Sequence, residues 1–187
     1  PAFNREILDL DIPILGLCYG HHLLAMESGG TVSRADVGEF GIAHMLTTKE
    51  DGSPLPESPL FDGIEFPSQV WMSHQDGVTA LPEGFRVIGR TADCPYAALE
   101  NREKKRWSLQ CHIEVKDTPQ GDRILANFAS LCGMKKNWSQ DRVLELVMED
   151  IRSQANRDRK ERNVLLFLSG GVDSTVAFAL LNTALGQ

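Results

Sequence analysis

The pentapeptide Gly16-Leu17-Cys18-Tyr19-Gly20 constrains this chain more than any other stretch. The apolar run Ile12-Pro13-Ile14-Leu15-Gly16-Leu17 leads into it, and His21 to Ser28 follows with helical character before Gly29-Gly30 closes it. Short apolar runs of this kind are buried in parallel sheets. The segment therefore predicts a strand, a sharp turn and a helix. Glycines on either side permit a backbone that thrusts the middle side chain outward. A sulfur at a helix N-terminus gains from the dipole and nearby N–H groups, which favour thiolate. Cys18 reads as a nucleophile or as a structural cysteine in an ordinary strand–helix turn, and the pentapeptide alone leaves both open.

A thiol nucleophile needs a base, and the base needs something to orient it. Gln110-Cys111-His112-Ile113-Glu114 ends a predicted strand, Arg106 to Cys111. Positions i and i+2 of extended chain share a face, so Glu114 can hold the His112 ring while His112 takes the thiol proton. Around these residues, Thr31 to Leu46 reads as strand broken at Gly38 and Gly41. Residues 50–67, with four prolines and two glycines, read as loop. Gln69 to Ser73, Phe85 to Thr91 and Tyr96 to Glu100 are further strands, and Asn101 to Lys105 is a polar turn. Pro119 suits the first turn of a helix with Ile124, Leu125, Phe128 and Leu131 on its apolar face. Ala2 to Leu8 is helix-like; an α/β domain rarely begins on an isolated helix, so a strand is expected before Pro1.

Composition changes near residue 133, which divides an expected first domain, 1–133, from a second, 134–187. Gly133 to Asn137 is a polar linker, and Ser139 is a good N-cap. Val143, Leu144, Val147, Met148 and Ile151 then recur at helical spacing. After a charged stretch, the predicted strand Val164 to Leu168 meets Ser169-Gly170-Gly171-Val172-Asp173-Ser174-Thr175, and a last helix runs to about Leu185. Glycines after a strand free backbone N–H groups to curl around an anion at a helix N-terminus. The common ATPase loop carries a lysine here; this one has hydroxyls and an aspartate instead.

Charge and composition exclude several classes. The net charge of −7 argues against a broad nucleic-acid surface. The basic runs Arg102 to Arg106 and Arg157 to Arg162 read as a solvated turn and a solvated helix end. Cys18, Cys94, Cys111 and Cys132 show no C-x-x-C pair and no metal-ligand cadence, so reduced thiols and no metal are expected. No apolar run approaches the ~20 residues of a membrane span, and no signal segment opens the chain; a cytoplasmic protein is expected. His74 reads as lining a cleft or as structural in a turn, and His44 as surface or core.

Gly16-Leu17-Cys18-Tyr19-Gly20 with Gln110-Cys111-His112-Ile113-Glu114-Val115 far downstream resembles the class I (triad) glutamine amidotransferases. Val70-Trp71-Met72-Ser73-His74, Cys94-Pro95-Tyr96-Ala97-Ala98 and Thr118-Pro119-Gln120-Gly121 resemble the GMP synthase family in particular. Ser169 to Thr175 matches the pyrophosphate loop of the N-type ATP pyrophosphatases. NAD synthetase, argininosuccinate synthetase and asparagine synthetase share that loop, but the order of glutaminase then loop resembles GMP synthase.

The resemblance implies an α/β fold, a mixed and mainly parallel sheet flanked by helices in the flavodoxin-like manner. The first strand, loop and helix of an adenine nucleotide alpha hydrolase-like domain would follow. It implies that Cys18 forms a glutamyl thioester, that His112 is general base and acid, and that Glu114 orients it. Ser169, Gly170, Gly171, Val172, Asp173, Ser174 and Thr175 would bind ATP, with magnesium accompanying the nucleotide. Gly16, Tyr19, His22, Ser73 and His74 would contribute to substrate binding. Glutamine, XMP and ATP would be the substrates, and the full-length protein a homodimer.

Three departures stand against the pattern. His22 occupies the position where the family usually has a glutamine that cradles the glutamyl intermediate. Ile113 replaces a proline that stiffens the His–Glu segment. Both ends are short: a first strand and glycine-rich loop are expected before Pro1, and most of the ATP domain, the XMP site and the dimerisation region after Gln187. A weak or inactive glutaminase-like module with a binding or regulatory role is the alternative reading. A γ-glutamyl hydrolase fits the first domain but not Ser169 to Thr175.

Overall fold

The apolar run ahead of the elbow forms β1, Ile14–Leu17, and it pairs in parallel with β6, Arg106–Leu109, in the register Leu17↔Leu109. The structure, a computed structural model, describes residues 3–135, 138–155 and 164–186. The basic run Arg157 to Arg162 lies outside them, as do Pro1, Ala2, Lys136, Asn137 and Gln187. The chain divides into two compact units, Pro1–Met134 and Lys135–Gln187.

In the first unit, β4 (Arg86–Gly89) and β5 (Ala98–Asn101) extend the sheet to the order β1-β6-β5-β4. The β5–β6 and β4–β5 pairs are antiparallel, so the parallel ladder lies between β1 and β6. The expected class, α/β with a mixed sheet flanked by helices, is the one observed. A second sheet pairs β2 (Thr31–Met45) with β3 (Ser68–Ala80), antiparallel. Its register slips between Arg34 and Glu39, around the expected break at Gly38. Helix α1, Tyr19–Glu27, buries Leu24 and Ala25. Helix α2, Gly121–Leu131, buries Ile124, and its Phe128 ring meets Trp107 edge-on at 6.1 Å. Met45, Leu60, Val70, Met72, Ile88, Leu109 and Ile113 fill the core between.

Pro119 falls just ahead of α2 and not in its first turn. The helix starts where the chain packs closely on Ile113: a Cβ at Gly121 would overlap the Ile113 carbonyl oxygen. The neighbouring Gln120 side chain ties Glu65 N–H, the Glu65 carbonyl and Ser68 Oγ at 2.9–3.0 Å.

The turn between β5 and β6 is solvated only in its middle. Arg102 turns back to Glu100, and Arg106 is buried, donating to the carbonyls of Leu8, Leu10 and Ile12 at 2.6–3.1 Å. Glu100 itself is fully buried. It accepts from Ser58 Oγ at 2.7 Å, Arg86 Nε at 2.7 Å, Arg102 Nε at 3.0 Å and Trp107 Nε1 at 2.9 Å. A carboxylate can be kept from water only when its oxygens are satisfied in this way.

In the second unit Ser139 Oγ accepts from Arg142 N–H at 3.1 Å and caps α3, Gln140–Ala155, which buries Met148. The expected strand at Val164 to Leu168 is not one: these residues join no ladder among the described residues. A strand exists through its neighbour's hydrogen bonds, and apolar composition alone does not supply them. Helix α4, Val172–Leu185, follows. No helix among the described residues is long and apolar enough to cross a membrane.

Replacing Glu100 with alanine should destabilise the first unit by about 3 kcal/mol, because Trp107 Nε1 and Ser58 Oγ lose their acceptor inside the protein. The arginines lie partly in water and add less. A urea midpoint followed by tryptophan fluorescence measures this, and an unchanged midpoint would deny Glu100 its structural role.

Candidate active site

Cys18 stands between β1 and α1 with φ 49° and ψ −105°, a conformation that costs a side-chain-bearing residue about 1–3 kcal/mol. Three contacts hold it there. Its N–H donates to the Leu109 carbonyl at 2.8 Å, and its own carbonyl accepts from His21 and His22 N–H at 3.0 and 3.3 Å to start the helix. Gly16 lets α1 approach β1: a Cβ at that position would lie 2.5 Å from the Gly20 carbonyl oxygen. The outward-turned thiol donates to the Ser73 carbonyl of β3 at 3.9 Å.

The resting thiol is more weakly acidic than an ordinary cysteine. Burial raises its pKa, the Tyr19 N–H lowers it, and the negative charge of Glu114 raises it again. The helix-end amide seen in the sequence does favour thiolate, but desolvation outweighs it. A thiol in this state needs a base beside it before it can act as a nucleophile.

His112 is positioned against β3 by another route. Strand β6 ends at Leu109, two residues earlier than the sequence suggests, and His112 is then held by a bridge to β3, with its N–H on the Trp71 carbonyl at 2.9 Å. Trp71 is two residues from Ser73, whose carbonyl faces the Cys18 thiol. His112 Nδ1–H donates to Glu114 Oε1 at 2.6 Å, which leaves Nε2 as the basic nitrogen. Ile113 between them is buried, so the alternation turns His112 and Glu114 to one face. Burial would raise the Glu114 carboxyl, but the His112 hydrogen bond, backbone N–H groups and the histidine's charge outweigh it and hold it below the usual glutamate range.

Sequence reasoning missed the residue that fastens this turn. Thr118 Oγ1 donates to the His112 carbonyl at 2.6 Å and accepts from Trp71 N–H at 3.0 Å. The Thr118-Pro119-Gln120-Gly121 motif was the available signal.

The other candidates divide. Tyr19 is exposed beside the thiol, with its N–H toward the sulfur. Ser73 presents its carbonyl there. Gly16 is a packing position under α1. His22 turns inward, where Nε2–H donates to Gln110 Oε1 at 2.6 Å, so its ring braces α1 against the end of β6. His74 is buried between the Asp76 carbonyl, 2.9 Å from Nδ1, and Glu39, 3.2 Å from Nε2. His21, fully buried, is pushed down to about 3 by burial and by the neighbouring His22 and His74.

In the second unit, Ser169 to Thr175 leads into α4. Gly170 takes φ 80°, which favours glycine, and Gly171 is the N-cap with no side-chain cap bond. Ser169 Oγ lies 3.2 Å from Ser174 Oγ, while Ser174 and Thr175 hydroxyls donate to the Gly171 carbonyl at 3.0 and 2.9 Å. The first-turn N–H groups of α4 thus face an exposed, glycine-lined loop that suits an anion.

A family model for glutamine amidotransferase class-I matches residues 1–131. The GMP synthase [glutamine-hydrolyzing] of Thermus thermophilus is 46% identical over 184 residues, 98% of this chain and 34% of the relative. That of Clostridium acetobutylicum is 39% identical over 188 residues, 100% of this chain and 35% of the relative. The chain spans about a third of the length of these curated relatives. Among solved structures, a Thermoplasma acidophilum protein proposed to be a GMP synthase subunit gives a TM-score of 0.62 at 28% identity, covering 69% of this chain and 61% of its own. A Thermotoga maritima glutamine amidotransferase, at TM-score 0.50 and 22% identity over 98% of this chain and 66% of its own, shares the fold.

Because burial raises the Cys18 thiol, thiolate is lost as pH falls, and alkylation by iodoacetamide should rise with pH to a midpoint above that of a free cysteine, ~8.5. Glu114→Gln removes a repelling charge and should move that midpoint down while leaving it above the free value. Peptide-resolved mass spectrometry measures both, and a wild-type midpoint well below neutrality would contradict the assignment.

Proposed function

The chain belongs to the class-I glutamine amidotransferases, and on that premise we propose that Cys18, His112 and Glu114 are its glutaminase triad and that it forms part of a GMP synthase. One observation carries the triad: His112 is clamped by Glu114 through Nδ1, and both His112 and the Cys18 sulfur are anchored to neighbouring residues of β3.

The chemistry follows from this arrangement. His112 Nε2 takes the thiol proton as Cys18 Sγ bonds to the carboxamide carbon of glutamine, and the carbonyl π electrons move to oxygen. The Tyr19 N–H, beside the sulfur, is placed to donate to that oxyanion. Collapse of the tetrahedral adduct breaks the C–N bond, and His112 returns the proton to the departing ammonia. Water, deprotonated by His112, then cleaves the glutamyl thioester to glutamate and restores the thiol. Glu114 stabilises the imidazolium at each stage by holding Nδ1–H.

The ammonia would be used in the amination of XMP. The loop Ser169 to Thr175 would hold ATP, and its N–H groups and hydroxyls suit the phosphates that the substrate-associated magnesium accompanies. Adenylation of the XMP carbonyl oxygen releases pyrophosphate; ammonia then displaces AMP to give GMP. Homodimerisation of the whole protein belongs to the same reading.

In the full-length protein, Cys18→Ala should lower glutamine-dependent GMP formation by about 10⁴-fold or more and leave ammonia-dependent formation largely intact. Gly171→Val should stop both, because at φ −78° the backbone accepts valine and only the phosphate approach is blocked. Glutamine use at the wild-type rate by Cys18→Ala would defeat the triad and favour a binding or regulatory module. Normal AMP and pyrophosphate release by Gly171→Val would defeat the loop assignment.

A further inference from the structure

We propose that Glu39, His74 and Cys94 form a site for one divalent transition-metal ion of borderline softness, with zinc as the type case. A carboxylate oxygen, an imidazole nitrogen and a thiol sulfur from these residues lie within 4.8 Å of one another. All three side chains are withdrawn from solvent, with His74 at 2%, Glu39 at 9% and Cys94 at 4% exposure. A mixed nitrogen, oxygen and sulfur set is the donor chemistry that zinc and its neighbours take in tetrahedral geometry. Metal–ligand bonds of ~2.0–2.3 Å put ligand atoms roughly 3.4–3.7 Å apart. The 3.2 Å between His74 Nε2 and Glu39 Oε2 is already near such an edge, and Cys94 needs only a small inward movement.

The surroundings orient the ligands as a metal site requires. His74 Nδ1 lies 2.9 Å from the Asp76 carbonyl, so Nδ1 carries the proton and the Nε2 lone pair points to the cluster. Thr91 Oγ1 donates to Glu39 Oε1 at 2.8 Å, leaving Oε2 for the ion, and the same hydroxyl accepts from Cys94 N–H at 3.0 Å. The Thr91 N–H closes the turn on the Cys94 carbonyl at 3.0 Å. Thus one threonine positions two ligands. On binding, Cys94 gives up its proton to solvent; the thiolate and the Glu39 carboxylate then balance the two charges of the ion. Without metal, burial and the charge of Glu39 hold the Cys94 thiol neutral, up to about 12.

The position gives the ion a consequence for the thiol site. Glu39 and His74 face each other across β2 and β3, and His74 adjoins Ser73, whose carbonyl receives the Cys18 thiol. An ion here fastens β2, β3 and the 91–94 turn together behind the wall that the thiol touches. A structural ion pair between His74 and Glu39 with a bystander thiol is the competing arrangement.

Cobalt(II) titration of the full chain, with zinc back-titration against a chromophoric chelator, separates the two. The expected result is one ion per chain and a near-ultraviolet thiolate-to-cobalt band that persists in Cys18→Ala and Cys132→Ser and disappears in Cys94→Ser. Thr91→Val should weaken zinc about 10–100-fold, as loss of a ligand-orienting group does. The isosteric Glu39→Gln should weaken it at least as much, and circular dichroism establishes that each variant folds. If Cys94→Ser does not fold, the wild-type band and the two isosteric variants decide the matter. No thiolate band in the wild type, or unchanged zinc affinity in Glu39→Gln and Thr91→Val, would overturn the site and leave the ion pair.

Discussion

The backbone of Cys18 is the constraint on which the first unit is arranged. A residue at φ 49° and ψ −105° is stable only if its neighbours leave it no alternative. Here the Leu109 carbonyl takes its N–H, α1 starts from its carbonyl, and Gly16 lets the helix descend onto β1. The same hydrogen bond sets the end of the β1–β6 ladder. Three residues beyond Leu109 the chain presents His112, already bridged to β3. Strain at one residue and the register of one ladder thus set where the sulfur and the imidazole stand.

At rest the electrostatics of the elbow favour the neutral thiol. Burial favours the protonated thiol, and the nearby Glu114 charge adds to that, while the same carboxylate holds the His112 ring. In the proposed glutaminase reaction, charge separation develops as the proton leaves the thiol, and the Tyr19 N–H and Glu114 are placed to act on it.

How much of this could be read from the sequence depended on the distance over which each feature is built. The strand, elbow and helix around Cys18 are contiguous, so composition and two glycines sufficed. The His112–Glu114 pairing spans two residues and followed from alternation. Arg106 looks solvated in the sequence because its partners, the carbonyls of Leu8, Leu10 and Ile12, come from a distant segment. Glu39, His74 and Cys94 gave no cadence for the same reason: β2, β3 and the turn after β4 meet only in the folded chain. Val164 to Leu168 erred the other way, since local apolar character does not supply a pairing strand.

Ile113, standing where the resemblance leads to the expectation of a proline, shows how such non-local contacts can replace a local one. Proline would stiffen the His–Glu segment by fixing one dihedral. Here the segment is immobilised from outside: the His112 N–H is bound by Trp71, its carbonyl by Thr118, and Thr118 in turn by the Trp71 N–H. The Ile113 side chain is buried in the core, and its carbonyl is packed against Gly121 so tightly that no Cβ fits. Isoleucine also contributes apolar burial worth about 1.5–3 kcal/mol. The rigidity that orients His112 therefore resides in the closed circuit of residues 71, 112 and 118, and the residue between histidine and glutamate is free to serve the core.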